Sequence, residues 1–280
     1  MKLIQLLLFS FLICLEIQAS DRFPVPSPES VKEYETYVME LGKDEVLSLS
    51  YIDLIEFIWD RYVLGMDGHF SYGGCNPKKL TYEESSRPAT ILLHGAGANQ
   101  GHWVPFIDLK NQLGWGGPVF TFNYLQETDL EQLRAKITEI RDLYLKAGRQ
   151  EVSINLVGHS LGAICSADYA YRPENWVEGT RVEKVVSMGG RLRNLEPPID
   201  TPYYPYCFDV LERIDGIWAN FLENRGEVRL CAIAGADDWL VPQESMLIGD
   251  INVVISNLGH GLINRFPAAN RAALEFLYLK

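Results

Sequence analysis

Gly158-His159-Ser160-Leu161-Gly162 sets a serine between two glycines, directly after the apolar run Val152 to Val157 and directly before the helix-like segment Ala163 to Tyr171. A strand that turns sharply into a helix lifts the residue at the turn clear of the sheet. Glycines two residues to either side remove the side chains that would collide where strand and helix approach. A serine hydroxyl is a weak nucleophile, so it needs a base to take its proton and a carboxylate to fix the tautomer of that base. One of the five histidines, His260 in Leu258-Gly259-His260-Gly261, lies after Ser160 and just beyond the apolar run Ile251 to Ile255. His69, His94 and His102 precede the serine, and His159 adjoins it. Asp237 and Asp238 follow the run Val228 to Ala234 and are the candidate carboxylates.

In this combination the chain resembles the α/β-hydrolase superfamily, and its Gly-His-Ser-Leu-Gly-Ala variant is most similar to the lipase and esterase members. The resemblance extends from about Ala89 to His260. It implies the chain order nucleophile, acid, histidine, and therefore Ser160 and His260 with an aspartate between them. An aspartate three residues before a Val-Pro pair is common in the family. That register selects Asp238, ahead of Val241-Pro242, with Asp237 as the alternative. His94-Gly95-Ala96-Gly97 closes the first predicted strand, where the family supplies one N–H of its oxyanion hole. The resemblance thus implies Ala96 and Leu161 as the two donors. It also implies that an insertion at 191–226 would lie over the site as a lid. Tyr203, Tyr204 and Tyr206 in that segment, with His102 and Trp103, would then line an acyl-chain pocket. The alternative for the segment is a loop whose aromatics cover the core.

The elements that must position these residues are six apolar runs: Ala89 to Leu93, Pro118 to Phe122, Val152 to Val157, Val182 to Met188, Val228 to Ala234 and Ile251 to Ile255. Their nearly continuous apolar character suits strands covered on both faces. Between the second and third runs, Leu130, Leu133, Ile137, Ile140 and Tyr144 recur at helical spacing within Thr128 to Ala147, with Thr128 and Glu131 as a capping box. Strands alternating with helices predict an α/β fold, a mostly parallel sheet of about six strands flanked by helices. Upstream, Ser27-Pro28 reads as a helix start, and Ile52, Ile55, Ile58, Trp59 and Tyr62 follow helical spacing over about Tyr51 to Leu64. The expected organisation is a signal peptide at 1–19, a helical N-terminal extension and linker at 20–88, and a catalytic domain at 89–280.

A net charge of −12 and 37 acidic against 25 basic residues argue against nucleic acid as a partner. Met1-Lys2 and the apolar run Leu3 to Leu15, with Ala19 before the cleavage point, read as an export signal, hence a periplasmic, secreted or lumenal protein. Export would leave Cys75, Cys165, Cys207 and Cys231. Cys165 and Cys231 fall in a predicted core helix and strand, so Cys75 with Cys207 is the better candidate for a disulfide. No cysteine or histidine spacing suggests a metal site, and the serine chemistry needs no cofactor. The expected function is hydrolysis of a carboxylic ester, with a small-molecule or lipid ester as substrate and peripheral contact with lipid surfaces. Acyl transfer or cleavage of a thioester or amide is the alternative within enzymes. A non-catalytic hydrolase-like binding module is the alternative outside them.

Overall fold

The computed structural model of the chain describes residues 35–39, 76–96, 98, 100–121, 124, 130–193, 208–224, 226–238 and 240–279. Among these residues the strands are β1 (Glu35–Met39), β2 (Ala89–Leu93), β3 (Val119–Thr121), β4 (Val152–His159), β5 (Thr180–Met188), β6 (Arg229–Gly235) and β7 (Ile251–Ile255). They form one sheet in the order β1-β7-β6-β5-β4-β2-β3, and every pair is parallel. The helices between them are α1 (Val104–Leu113), α2 (Leu130–Lys146), α3 (Leu161–Ala170), α4 (Phe208–Glu223), the short α5 (Gln243–Met246) and α6 (Pro267–Tyr278).

All six apolar runs read from the sequence are strands of this sheet. Residues of β2 show why they lack alternation. Ala89, Ile91 and Leu93 belong to a core with α2, α3 and α4, while Leu92 belongs to a second core with α1 and α6. Both faces are covered, so every residue of β2 and of β7 is buried. In α2, the buried residues Leu133, Ile137, Ile140 and Tyr144 are the stripe that the periodicity predicts.

The seventh strand is a correction to the expected helical extension at 20–88. Glu35–Met39 pairs in parallel with Ile251–Ile255 at the far edge of the sheet. Thr36, Tyr37 and Val38 suit an extended backbone. The partner that makes it a strand comes near the end of the chain. The expected signal peptide, the expected helix at about Tyr51 to Leu64, Thr128 of the capping box and the tyrosines of the 191–226 segment lie outside the described residues. So do Cys75 and Cys207, whereas Cys165 and Cys231 are buried in α3 and β6. No helix among the described residues is long and apolar enough to cross a membrane.

After β2 and β3 run toward one edge, the chain returns to place β4 on the other side of β2. Such a reversal opens a crevice beyond the carboxyl ends of the two strands that flank it. Those ends are His94 to Ala96 after β2 and Ser160 after β4.

Candidate active site

Ser160 sits between β4 and α3 with φ 53° and ψ −118°, a backbone conformation that side-chain-bearing residues seldom adopt. The neighbouring glycines make this turn fit. A Cβ on Gly158 would stand 2.3 Å from the Gly162 carbonyl carbon, and one on Gly162 would stand 2.2 Å from the Leu93 carbonyl oxygen. The turn is tied to the next strand by the Ser160 N–H, which donates to the Met188 carbonyl at 2.9 Å.

His260 opens a single helical turn just after β7, and its buried ring reaches two partners. Nε2 lies 2.9 Å from Ser160 Oγ and Nδ1 lies 2.7 Å from Asp238 Oδ2. A carboxylate can only accept, so Nδ1 carries the proton and Nε2 presents a lone pair to the serine hydroxyl. Asp238 follows β6, and its side chain is wholly buried. Its second oxygen, Oδ1, accepts the N–H groups of Leu240 and Val241, each at 2.9 Å. Asp237 is half-buried, and its N–H donates to the Leu258 carbonyl, which ties the loops after β6 and β7 together. Of the two adjacent aspartates, Asp238 is therefore the one that meets His260.

The two residues expected as oxyanion donors stand at the start of α3 and in the turn after β2. Leu161 is the first residue of α3, a position whose N–H has no acceptor within the helix. Ala96 is exposed in the turn after β2. Its neighbour Gly95 packs so closely that an added Cβ would stand 3.1 Å from Ser160 Cβ.

His94 anchors that turn. Nδ1 donates to the Gly95 carbonyl at 2.9 Å, while Nε2 accepts the Tyr124 N–H at 3.4 Å. Tyr124 stacks on the ring, with centroids 4.2 Å apart, and its hydroxyl donates to the His94 carbonyl. Burial pushes the His94 pKa down to about 4, so the ring is neutral in this pattern. Tyr124 was not among the residues that the sequence singled out. Its signal is positional, because it follows β3, and β3 pairs with β2, the strand that His94 directly follows.

His159, at the end of β4, is buried against His260. Its Nε2 lies 2.9 Å from the His260 carbonyl, and the two rings are 5.1 Å apart between centroids. Burial, with His260 and then His94 nearby, lowers its pKa to about 3.

The expected pocket residues fare differently. Trp103 is a correction. It is fully buried in the core shared with α1 and α6, edge-on to Phe106, and presents no surface to a ligand. His102 is half-buried, and its carbonyl accepts from Asn264 Nδ2 at 3.2 Å, which stitches the loop after β2 to the loop of His260. Tyr203, Tyr204 and Tyr206 lie outside the described residues. No group of three or more His, Cys, Asp or Glu side chains placed to hold a metal occurs among the described residues.

No protein-family model and no curated protein matches the chain. Solved structures do. A gene product of Listeria innocua is 18% identical, over 68% of this chain and 94% of its own, with a TM-score of 0.49. A Pyrococcus furiosus esterase is 18% identical over 69% and 83%, with a TM-score of 0.45. An alpha/beta hydrolase enzyme from a lagoon-sediment metagenome of Mar Chica, Morocco, is 17% identical over 68% and 90%, with a TM-score of 0.44.

Proposed function

We propose that the chain is a serine hydrolase that cleaves carboxylic esters through an acyl-enzyme on Ser160. The observation that carries this is the unbroken chain of hydrogen bonds from Ser160 Oγ to His260 Nε2 and from His260 Nδ1 to Asp238 Oδ2. As Ser160 Oγ bonds to the ester carbonyl carbon, its proton passes to His260 Nε2. Asp238 faces the imidazolium so formed and stabilises it. The carbonyl oxygen, now an oxyanion, accepts the N–H groups of Ala96 and Leu161, aided by the positive end of α3. The C–O bond to the leaving alcohol breaks, and the alcohol takes the proton from Nε2. Water then gives a proton to His260 Nε2 and its oxygen to the acyl carbon, the bond from that carbon to Ser160 Oγ breaks, and Oγ takes the proton back from Nε2 as the acid leaves.

In this reading residues 1–19 direct export, and the enzyme acts outside the cytoplasm on small-molecule or lipid esters, with peripheral contact with lipid surfaces. The lid expected at 191–226 does not extend over α4, whose Ile214, Ile217 and Phe221 are buried in the core shared with β2, and the reading keeps Tyr203, Tyr204, Tyr206 and His102 as contributors to the acyl pocket. A fluorophosphonate probe tests the reading. Wild type takes the label at one site and Ser160→Ala does not. Equal labelling of the two proteins rules out Ser160 as the nucleophile. Turnover of p-nitrophenyl esters of increasing chain length then measures the acyl pocket.

A further inference from the structure

We infer that His159 is a positioning residue of this site: a neutral imidazole whose Nε2–H holds the backbone of His260 against the nucleophile turn. The inference rests on the hydrolase reading above, because the group it positions is the proposed base.

His159 is placed to connect the parts of the site that come from distant segments. It is covalently next to Ser160. It reaches His260 through the 2.9 Å hydrogen bond to that residue's carbonyl. It also touches the end of β2, since a Cβ on Gly95 would stand 3.0 Å from its Nδ1. One side chain, 5% exposed, thus lies among the turn that carries the nucleophile, the turn that carries the base and the strand end that carries the expected oxyanion donor.

The partner atoms decide the tautomer. A backbone carbonyl can only accept, so Nε2 carries the proton and Nδ1 is left with a lone pair. Among the described residues that lone pair has no hydrogen-bond partner. A side chain that served only to fill space would leave no polar nitrogen buried and unsatisfied, which carries a desolvation cost. The cost is offset by what the other nitrogen does. His260 must meet Ser160 at 2.9 Å and Asp238 at 2.7 Å with one rigid ring, and a displacement of its backbone shifts both distances together. Geometry of that kind depends on supporting hydrogen bonds around the reacting groups.

Neutrality is also required. During turnover His260 becomes an imidazolium, and a second cation 5.1 Å away would oppose its formation. Burial and the proximity of His260 and His94 keep His159 uncharged, so it can donate to the carbonyl without opposing the proton on its neighbour.

The test uses the full chain with His159→Gln, His159→Asn and His159→Leu. A glutamine amide N–H reaches as far as Nε2. An asparagine amide stops near the position of Nδ1, and leucine fills the space with no donor. Activity is counted per fluorophosphonate-titrated site, so that misfolded protein does not contribute. His159→Gln is expected to keep kcat. His159→Asn and His159→Leu are expected to lose about 10- to 100-fold in kcat with KM nearly unchanged. In the latter two the pH profile of kcat/KM, which reports the base, also shifts. The downfield proton resonance of His260 Nδ1–H supplies a readout that needs no turnover. It keeps its wild-type position in the glutamine variant and moves in the other two. Should His159→Leu not fold, the glutamine and asparagine pair decides. Wild-type kcat and resonance in His159→Asn, or equal losses in the glutamine and asparagine variants, would overturn the assignment. A wild type that takes no label refutes the hydrolase reading instead, and the resonance still reports on His159.

Discussion

Asp238 meets His260 with one oxygen and its own loop with the other. Oδ2 is 2.7 Å from His260 Nδ1, while Oδ1 accepts the N–H groups of Leu240 and Val241. Both positions call for an acceptor, and asparagine has only one oxygen to offer. Whichever way the amide of Asp238→Asn turns, its NH2 faces either the histidine N–H or the two backbone N–H groups. The substitution is expected to lower kcat about ten-thousand-fold, through the wrong tautomer of His260. Asp237→Asn, at a half-buried site whose backbone N–H makes the structural contact, is expected to stay within about twofold. Steady-state turnover of a p-nitrophenyl ester at neutral pH compares the two. Loss in the Asp237 variant alone would make that residue the acid.

Ser160 holds its hydroxyl in place at the cost of an unfavourable backbone, with φ 53° and ψ −118°. Strain at such positions amounts to about 1–3 kcal/mol, and glycine relieves it while losing more conformational freedom on folding. Ser160→Ala and Ser160→Gly both remove the nucleophile, so their stabilities can be compared without regard to function. The glycine variant is expected to be the more stable by about 1 kcal/mol. Urea unfolding midpoints measure the difference. Equal midpoints, or a more stable alanine variant, would show that the turn carries no strain.

The parts of this site legible in the sequence are those whose signal is local. Gly158, Ser160 and Gly162 report a turn because the collision they avoid involves their own strand and helix, together with the end of the neighbouring β2. The six apolar runs report strands because burial on both faces leaves no polar positions to confuse the pattern. β1 was not legible, since Glu35–Met39 becomes a strand by pairing with β7, a long way along the chain. Tyr124 was hidden for a similar reason, as its contact with His94 exists only once β3 lies beside β2. Trp103 misleads because an aromatic near a candidate site reads the same whether it lines a pocket or fills a core. Packing against Phe106 and α6 settles which.

Gly162 and Gly114 separate two reasons for glycine. A Cβ on Gly162 would meet the Leu93 carbonyl oxygen at 2.2 Å and the His94 carbonyl oxygen at 2.6 Å. Relief requires the first turn of α3 to move away from the end of β2, which would separate Leu161 from Ala96. Gly114 ends α1 at φ 65°, with nothing within 4 Å of an added Cβ. Gly162→Ala is therefore expected to destabilise by about 3 kcal/mol or more and to slow fluorophosphonate labelling of the protein that still folds. Gly114→Ala is expected to cost about 1 kcal/mol, with labelling unchanged. Chemical denaturation and labelling rates check both. A Gly162→Ala variant that is as stable and as reactive as wild type would mean that strand and helix do not approach this closely.

Two buried neutral histidines give the fold an acid-side weakness with a definite sign. His94 and His159 have pKa values lowered to about 4 and about 3, chiefly by burial, against about 6.5 for an unfolded chain. Above about pH 6.5 neither state binds these protons, and the stability of the fold is undiminished. Below that value the unfolded chain takes up protons that the folded chain refuses, so stability falls as the pH drops toward the folded values. By pH 5 each histidine accounts for a loss of about 2 kcal/mol. His159→Gln removes one of the two titrating groups, so its loss of stability between pH 7 and pH 5 is expected to be smaller than that of wild type by about that amount. Urea unfolding at the two pH values measures each slope. A wild type equally stable at both, or a glutamine variant that falls as steeply as wild type, would show that His159 is not held neutral by its burial.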